Sequence, residues 1–287
     1  MKTMENPIGI YEKALPKDLS WAQRFTAARN AGFDFLELSV DETPERMARL
    51  DWTLAERLDF FRTSREHQVP IPSMCLSGHR KIPFGSADPA IRTEAAEFMG
   101  KAIRFACDTG IRVIQLAAYD VYYEPTTRES RERYYAGMEY ALELAARHQV
   151  MLALEIMDTP FQNSIAKYLL LKERLPSPWF KVYPDLGNLT AWGNDMAQEL
   201  TAGIHDIVGV HVKETKPVGP DFPGAFRDVP FGSGTVDFVH CFKTLHNLGY
   251  AGPFLIEMWT EKAVDPVREI ALARQWVGER LKQGGYA

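Results

Sequence analysis

Short apolar runs recur along the chain, each followed by a longer stretch with apolar residues at helical spacing. Residues 8–10, 33–40, 72–76, 111–117, 150–157, 181–184, 207–213 and 254–258 are rich in β-branched and aliphatic side chains and read as strands. Residues 19–30, 53–68, 87–109, 128–148, 164–175, 196–202, 238–248 and 265–283 read as helices. Run 150–157 is apolar almost throughout, as a strand covered on both faces is, while FDFLELSV at 33–40 alternates. Punctuation agrees: Ala31-Gly32 and Gly110 stop helices, Asp51 or Thr53 caps one, and Ser86 or Asp88 opens another ahead of Pro89.

Strand and helix thus alternate eight times without a linker or low-complexity break. Alternating order predicts a parallel sheet, and eight units predict an α/β fold of one closed (β/α)8 TIM barrel over residues 1–287. A doubly wound open sheet would offer a glycine-rich turn after its first strand, and Ile10-Tyr11-Glu12-Lys13 is not one.

The run VMLALEIMD ends in a carboxylate, Glu155, although an unpaired buried carboxylate is costly. The pattern recurs on the next three strands, with Asp185, His211 and Glu257 at or near their ends. In a barrel these ends face one mouth, so the four side chains converge. Three carboxylates together repel unless a cation joins them. Three oxygen ligands and an imidazole suit one divalent ion, zinc first, with manganese or cobalt also compatible.

Composition narrows the partners. A net charge of −5 gives no electrostatic footprint for nucleic acid or a membrane surface. No apolar run approaches the ~20 residues of a membrane span, and MKTMENPIGIYEKAL lacks a signal-peptide core. Cys75, Cys107 and Cys241 form no CxxC pair, which fits reduced thiols in the cytoplasm. His67, His148, His205, His240 and His246 fall in helical or loop regions and read as surface residues. A homodimer is compatible with the prevalence of two-fold assemblies, although no stretch demands one.

The segments ALEIMDTPFQNSI, YPDLGNLTAW, VHVKETKP, VPFGSGTVDF and PFLIEMWTE resemble the xylose-isomerase-like barrel superfamily, and within it the L-ribulose-5-phosphate (L-xylulose-5-phosphate) 3-epimerases. IGIYEKALP, FDFLELSVDET, RLDW, SMCLSGHRK and IRVIQLAAYDVYYE extend the likeness over nearly the whole chain. The resemblance implies reversible inversion at C3 of a five-carbon ketose 5-phosphate, in pentose or ascorbate catabolism. Such chemistry needs a metal Lewis acid and an acid/base group on each face of C3. Glu155 and Glu257 would fill both roles, with Asp185 and His211 mainly ligands.

Further mouth-facing candidates for substrate are Glu37, Ser77, His79, Asn188 and Lys213, the last on the same face as His211 two residues earlier. A related ketose-epimerase pattern carries histidine and arginine near the positions of Asn188 and Lys213. The loop after strand seven holds Lys216, Arg227 and the turn at 231–235, and in this fold such loops often bind phosphate through backbone amides. Residues 77–81 are a second phosphate candidate. Tyr11, Tyr119, Trp192 and Trp259 read more as packing than as pocket wall. An epimerase of unphosphorylated ketoses and an inactive sugar-binding barrel are the competing readings. A DNA-repair endonuclease would need more histidine ligands and a basic groove.

Overall fold

The computed structural model describes residues 6–287. The first five residues of the N-terminal stretch read above lie outside the described residues. The strands are β1 (Ile8–Tyr11), β2 (Phe35–Ser39), β3 (Ser73–Cys75), β4 (Val113–Ala117), β5 (Met151–Glu155), β6 (Phe180–Tyr183), β7 (Val210–Val212) and β8 (Phe254–Ile256). All neighbours pair in parallel, in the order β6-β5-β4-β3-β2-β1-β8-β7. Between β6 and β7 the wall closes through single bridges, Val182 to Ile207 and Asp185 to His211, with His211 N donating to Pro184 O at 2.9 Å. The eight strands therefore form the nearly closed TIM barrel that the βα alternation predicts.

Strand side chains alternate between the helices outside and the lumen inside. Ile10, Leu36, Leu38, Ile114, Leu152 and Val210 point outward into the large helix-covered core. Each such fully buried aliphatic contributes roughly 1.5–3 kcal/mol. The lumen holds two smaller apolar layers, Tyr11, Phe35, Cys75 and Leu255 in one and Val113, Ala153 and Tyr183 in the other. Glycine makes room for the large rings: a Cβ on Gly9 would lie 2.2 Å from Phe35, and one on Gly209 2.4 Å from Tyr183. These layers fill the lumen around a few buried polar groups, Glu37, Ser73 and Gln115 among them, and the polar strand ends meet at its C-terminal mouth.

Local signals set the helix ends. Ser20 forms a capping box with Gln23, so the first helix starts at Trp21 rather than at residue 19 and runs Trp21–Asn30. Thr53 caps Leu54–Glu66 through a second box with Glu56. Asp88 caps Pro89–Thr109, and Gly110 stops that helix at φ 78°. Two short helices have no clear apolar period and were not expected: Pro44–Met47, and Leu186–Ala191 directly after Asp185.

A buried ionic knot ties the ends of β1 and β2 together. Glu12 Oε2 accepts from Arg49 Nη1 at 2.6 Å and from Ser39 N at 2.8 Å, while Oε1 accepts from Arg24 Nη1 and Arg49 Nη2, both at 2.8 Å. Burial disfavours the Glu12 carboxylate, but the Arg49 guanidinium, Ser39 N–H and Arg24 outweigh it and hold the carboxyl below its usual range.

Candidate metal centre

Glu155 is the last residue of β5, Asp185 lies two past β6, His211 is central in β7, and Glu257 is one past β8. All four are buried, and each offers one ligand atom such that these atoms lie within 4.8 Å of one another. The convergence expected from four polar strand ends is therefore observed.

The imidazole of His211 organises the cluster. Its Nδ1 is 3.0 Å from Glu155 Oε1 and 3.4 Å from Glu257 Oε2. Its Nε2 is 3.2 Å from Glu37 Oε1, on the far side of the ring. The Tyr183 ring packs on it at 4.7 Å between centroids. Glu155 Oε2 accepts from Gln115 Nε2, a group the sequence reading missed. Its signal was a lone amide inside the apolar run 111–117, at an inward register position two residues before Ala117.

Asp185 is divided between two tasks. Its Oδ1 caps the short helix Leu186–Ala191 by accepting from Asn188 N at 2.8 Å, while Oδ2 faces Lys213 Nζ at 2.7 Å. Lys213 Nζ is also 3.0 Å from Glu257 Oε2. Burial pushes Asp185 upward, and Lys213 only partly opposes it. In Glu257 burial is outweighed by Lys213 and His211, which hold the carboxyl far below its usual range. Burial disfavours the imidazolium of His211, yet Glu257, Glu155 and Glu37 raise its pKa well above the ordinary value.

These residues fit a divalent cation. Counting Glu37 behind His211, four carboxylates meet one ammonium and one imidazolium in this space, leaving excess negative charge. Asp185 Oδ2 and Glu257 Oε2 are buried and make no hydrogen bond of good geometry among the described residues. Oxygen and imidazole donors together suit zinc, manganese or cobalt. A cleft of about 360 Å³ opens onto Lys213 and Glu257 beside Phe231, Trp259 and Trp276, within the range of small-molecule sites.

The other candidate residues divide. Lys213 and Asn188 join the centre; Asn188 Nδ2 donates to Ile156 O at 2.8 Å, and its Oδ1 is buried without a partner among the described residues. Glu37 is fully buried behind His211, with Oε2 accepting from Ser73 Oγ at 2.7 Å. Ser77 and His79 are buried in a 3-10 turn after β3. His79 aims Nε2 at Ala117 O (2.7 Å) and Nδ1 at Leu76 O, so both ring nitrogens are engaged by backbone.

The loop after β7 departs from the expected phosphate cradle. Glu214 is buried beneath it and accepts from Gly232 N at 3.0 Å and Val236 N at 3.1 Å, so a protein carboxylate takes amides expected to meet phosphate. Lys216 is exposed. Arg227 lies over Trp259 at 4.7 Å and pairs with Glu261 at 2.8 Å. Tyr11, Tyr119 and Trp259 pack largely inside; Trp192 is half-buried against Phe226, 6.4 Å between centroids. Of the five histidines read as surface groups, His148, His205, His240 and His246 are exposed and His67 is half-buried. Cys75 and Cys241 are buried free thiols, Cys107 a half-buried one. Among the described residues no helix is long and apolar enough to cross a membrane.

The family model of the xylose isomerase-like TIM barrel matches residues 25–280. A putative L-ribulose-5-phosphate 3-epimerase of Escherichia coli (strain K12) is 58% identical over 279 residues, covering 97% of this chain and 98% of its own. An L-ribulose-5-phosphate 3-epimerase of Escherichia coli O157:H7 is 53% identical over 285 residues, covering 99% and 98%. A solved L-ribulose 3-epimerase superposes with TM-score 0.79 at 20% identity, covering 97% of this chain and 95% of that one. A D-psicose 3-epimerase in the presence of D-fructose gives 0.77 at 15%, covering 97% and 100%. The two structural likenesses speak to the fold; the near full-length sequence identities speak to the family. The chain belongs to the xylose isomerase-like TIM barrel family and, within it, to the L-ribulose-5-phosphate 3-epimerases.

Proposed function

We propose that this chain is a metal-dependent 3-epimerase that interconverts L-xylulose 5-phosphate and L-ribulose 5-phosphate. The observation that carries the reading is the approach of Glu155 and Glu257, from β5 and β8, to the same nitrogen of His211 at 3.0 and 3.4 Å. Two carboxylates so placed can address opposite faces of one carbon. Glu155, Asp185, His211 and Glu257 would hold the ion, zinc by preference and manganese or cobalt as alternatives. When bound, it supplies a Lewis acid to the C2 carbonyl and C3 hydroxyl.

One glutamate removes the C3 proton, and the electron pair of that C–H bond moves into the carbonyl to give an enediolate. The other glutamate returns a proton to the opposite face, restoring the ketone with C3 inverted. In the reverse direction the two exchange roles, as microscopic reversibility requires. Lys213, beside Glu257, and Asn188, with its unpaired Oδ1, are placed to meet sugar oxygens. The phosphate falls to the basic residues of the mouth loops, Lys216 and Arg227 after β7 or the turn at 77–81. The enzyme works in the cytoplasm with its cysteines reduced, as a monomer or homodimer.

Turnover in deuterated water tests the reaction class. One deuteron at C3 of the product is expected; label at C1 would make the chain an aldose–ketose isomerase. A second reading, an epimerase of unphosphorylated ketoses, is favoured by Glu214 occupying the amides of Gly232 and Val236. Comparing kcat/KM for L-ribulose 5-phosphate and L-ribulose decides between them.

A further inference from the structure

Glu37 has no place in the proton transfers described above, yet it is a fully buried carboxylate in the barrel lumen. It lies on β2, separated from β7 by β1 and β8, and reaches across the lumen to His211, 174 residues away in sequence. Both of its oxygens are committed, Oε2 to Ser73 Oγ at 2.7 Å and Oε1 to His211 Nε2 at 3.2 Å. Phe35, two residues earlier on the same face, fills the lumen with hydrocarbon alone. Filling space therefore does not account for a charged group here, whose desolvation is costly.

The two ring nitrogens of His211 meet different surroundings. Nδ1 faces Glu155 and Glu257, and among the described residues Nε2 faces Glu37 alone. A nitrogen that ligates a metal must be free of its proton, so a ligating Nδ1 leaves the single ring proton on Nε2. Glu37 Oε1 is the acceptor waiting there. The opposite tautomer would point an N–H at the metal position and set a nitrogen lone pair against a carboxylate. The Tyr183 ring, 4.7 Å away, limits tilting of the imidazole.

We infer that Glu37 is a positioning residue for the metal centre: it fixes the tautomer and orientation of His211, and Ser73 in turn fixes Glu37. The inference rests on the metal-dependent reading above. A carboxylate hydrogen-bonded to the remote nitrogen of a ligating histidine also makes the ligating nitrogen more basic, and loss of such a partner typically weakens metal binding 10- to 100-fold.

The test is Zn²⁺ affinity by chelator competition, measured on the purified parent and on Glu37→Gln, with the Tm of both metal-free proteins recorded. Glu37→Gln is expected to bind Zn²⁺ about 10- to 100-fold more weakly while its metal-free form keeps a cooperative transition. Histidine 15N spectra of the Zn²⁺-loaded parent should place the His211 proton on Nε2. A Zn²⁺ affinity within twofold of the parent, or a proton on Nδ1, overturns the inference. If Glu37→Gln does not fold, Ser73→Ala carries the same measurement, with a smaller, several-fold loss expected and an unchanged affinity counting against the role. A parent that binds no Zn²⁺, Mn²⁺ or Co²⁺ refutes the metal reading itself. A parent that binds, with variants that bind equally well, refutes only the part given to Glu37.

Discussion

Lys213 Nζ lies 2.7 Å from Asp185 Oδ2, inside the carboxylate cluster rather than at its edge. The ammonium is held above its ordinary pKa because Asp185, Glu257 and Glu155 outweigh its burial. It therefore offsets part of the negative charge that β5 to β8 bring together.

Removing that charge should expose the repulsion. Lys213→Met is expected to destabilise the metal-free protein by about 3 kcal/mol, the cost of leaving buried carboxylates without their partner. Added Zn²⁺ should then raise the Tm of the variant more than that of the parent. Equal stabilities in urea denaturation, and equal metal-induced shifts, would show that Lys213 carries no such load.

Glu12 makes a prediction about acid. Its pKa in the folded chain is depressed below the ordinary 4.5. Its stabilising contribution is therefore complete above about pH 4.5 and declines as pH falls toward and through the folded value. Glu12→Gln should cost about 3–5 kcal/mol at pH 7, since Arg24 and Arg49 lose a buried counterion. The gap between parent and variant should narrow below pH 4.5. Urea denaturation at pH 7 and pH 3.5 checks this, and a gap of constant size would contradict it.

Gly209 tests the packing beneath the centre. A methyl group there would come 2.4 Å from Tyr183, whose ring lies on His211. Gly209→Ala should cost about 1–3 kcal/mol through overpacking and also weaken Zn²⁺ binding, because the displaced ring pushes on a proposed ligand. Full retention of metal affinity would mean that Tyr183 moves independently of His211.

The proposed ligand set was legible because each member interrupts an apolar strand run near its C-terminal end, where the fold places its chemistry. Glu155 in VMLALEIMD is the clearest case, and βα order then put Asp185, His211 and Glu257 beside it. What stayed hidden depends on contacts across the lumen. Glu37 reads as a mouth residue in FDFLELSV, yet in space it lies behind His211 and is engaged at both oxygens. His79 reads as a polar loop residue, but its ring turns inward to two carbonyls. The turn at 231–235 has the composition of an anion cradle; only the folded chain shows Glu214 beneath it. Strand β7 is shorter than its apolar run because Ile207 makes only a single bridge, to Val182, before the regular ladder begins at Val210.

The central claim is that Glu155 and Glu257 serve opposite faces of C3. Glu155→Gln and Glu257→Gln should each lower epimerisation by about 100- to 10,000-fold in a protein that remains folded, assayed at a Zn²⁺ concentration high enough to saturate the variant. Each variant keeps one base, so each should still exchange the C3 proton of one epimer without inverting it. The decisive measurement is NMR of L-ribulose 5-phosphate and L-xylulose 5-phosphate incubated separately with each variant in deuterated water. Exchange of one epimer by Glu155→Gln and of the other by Glu257→Gln is the predicted result. Substantial epimerisation by either variant, or exchange of both epimers by the same variant, would contradict the assignment.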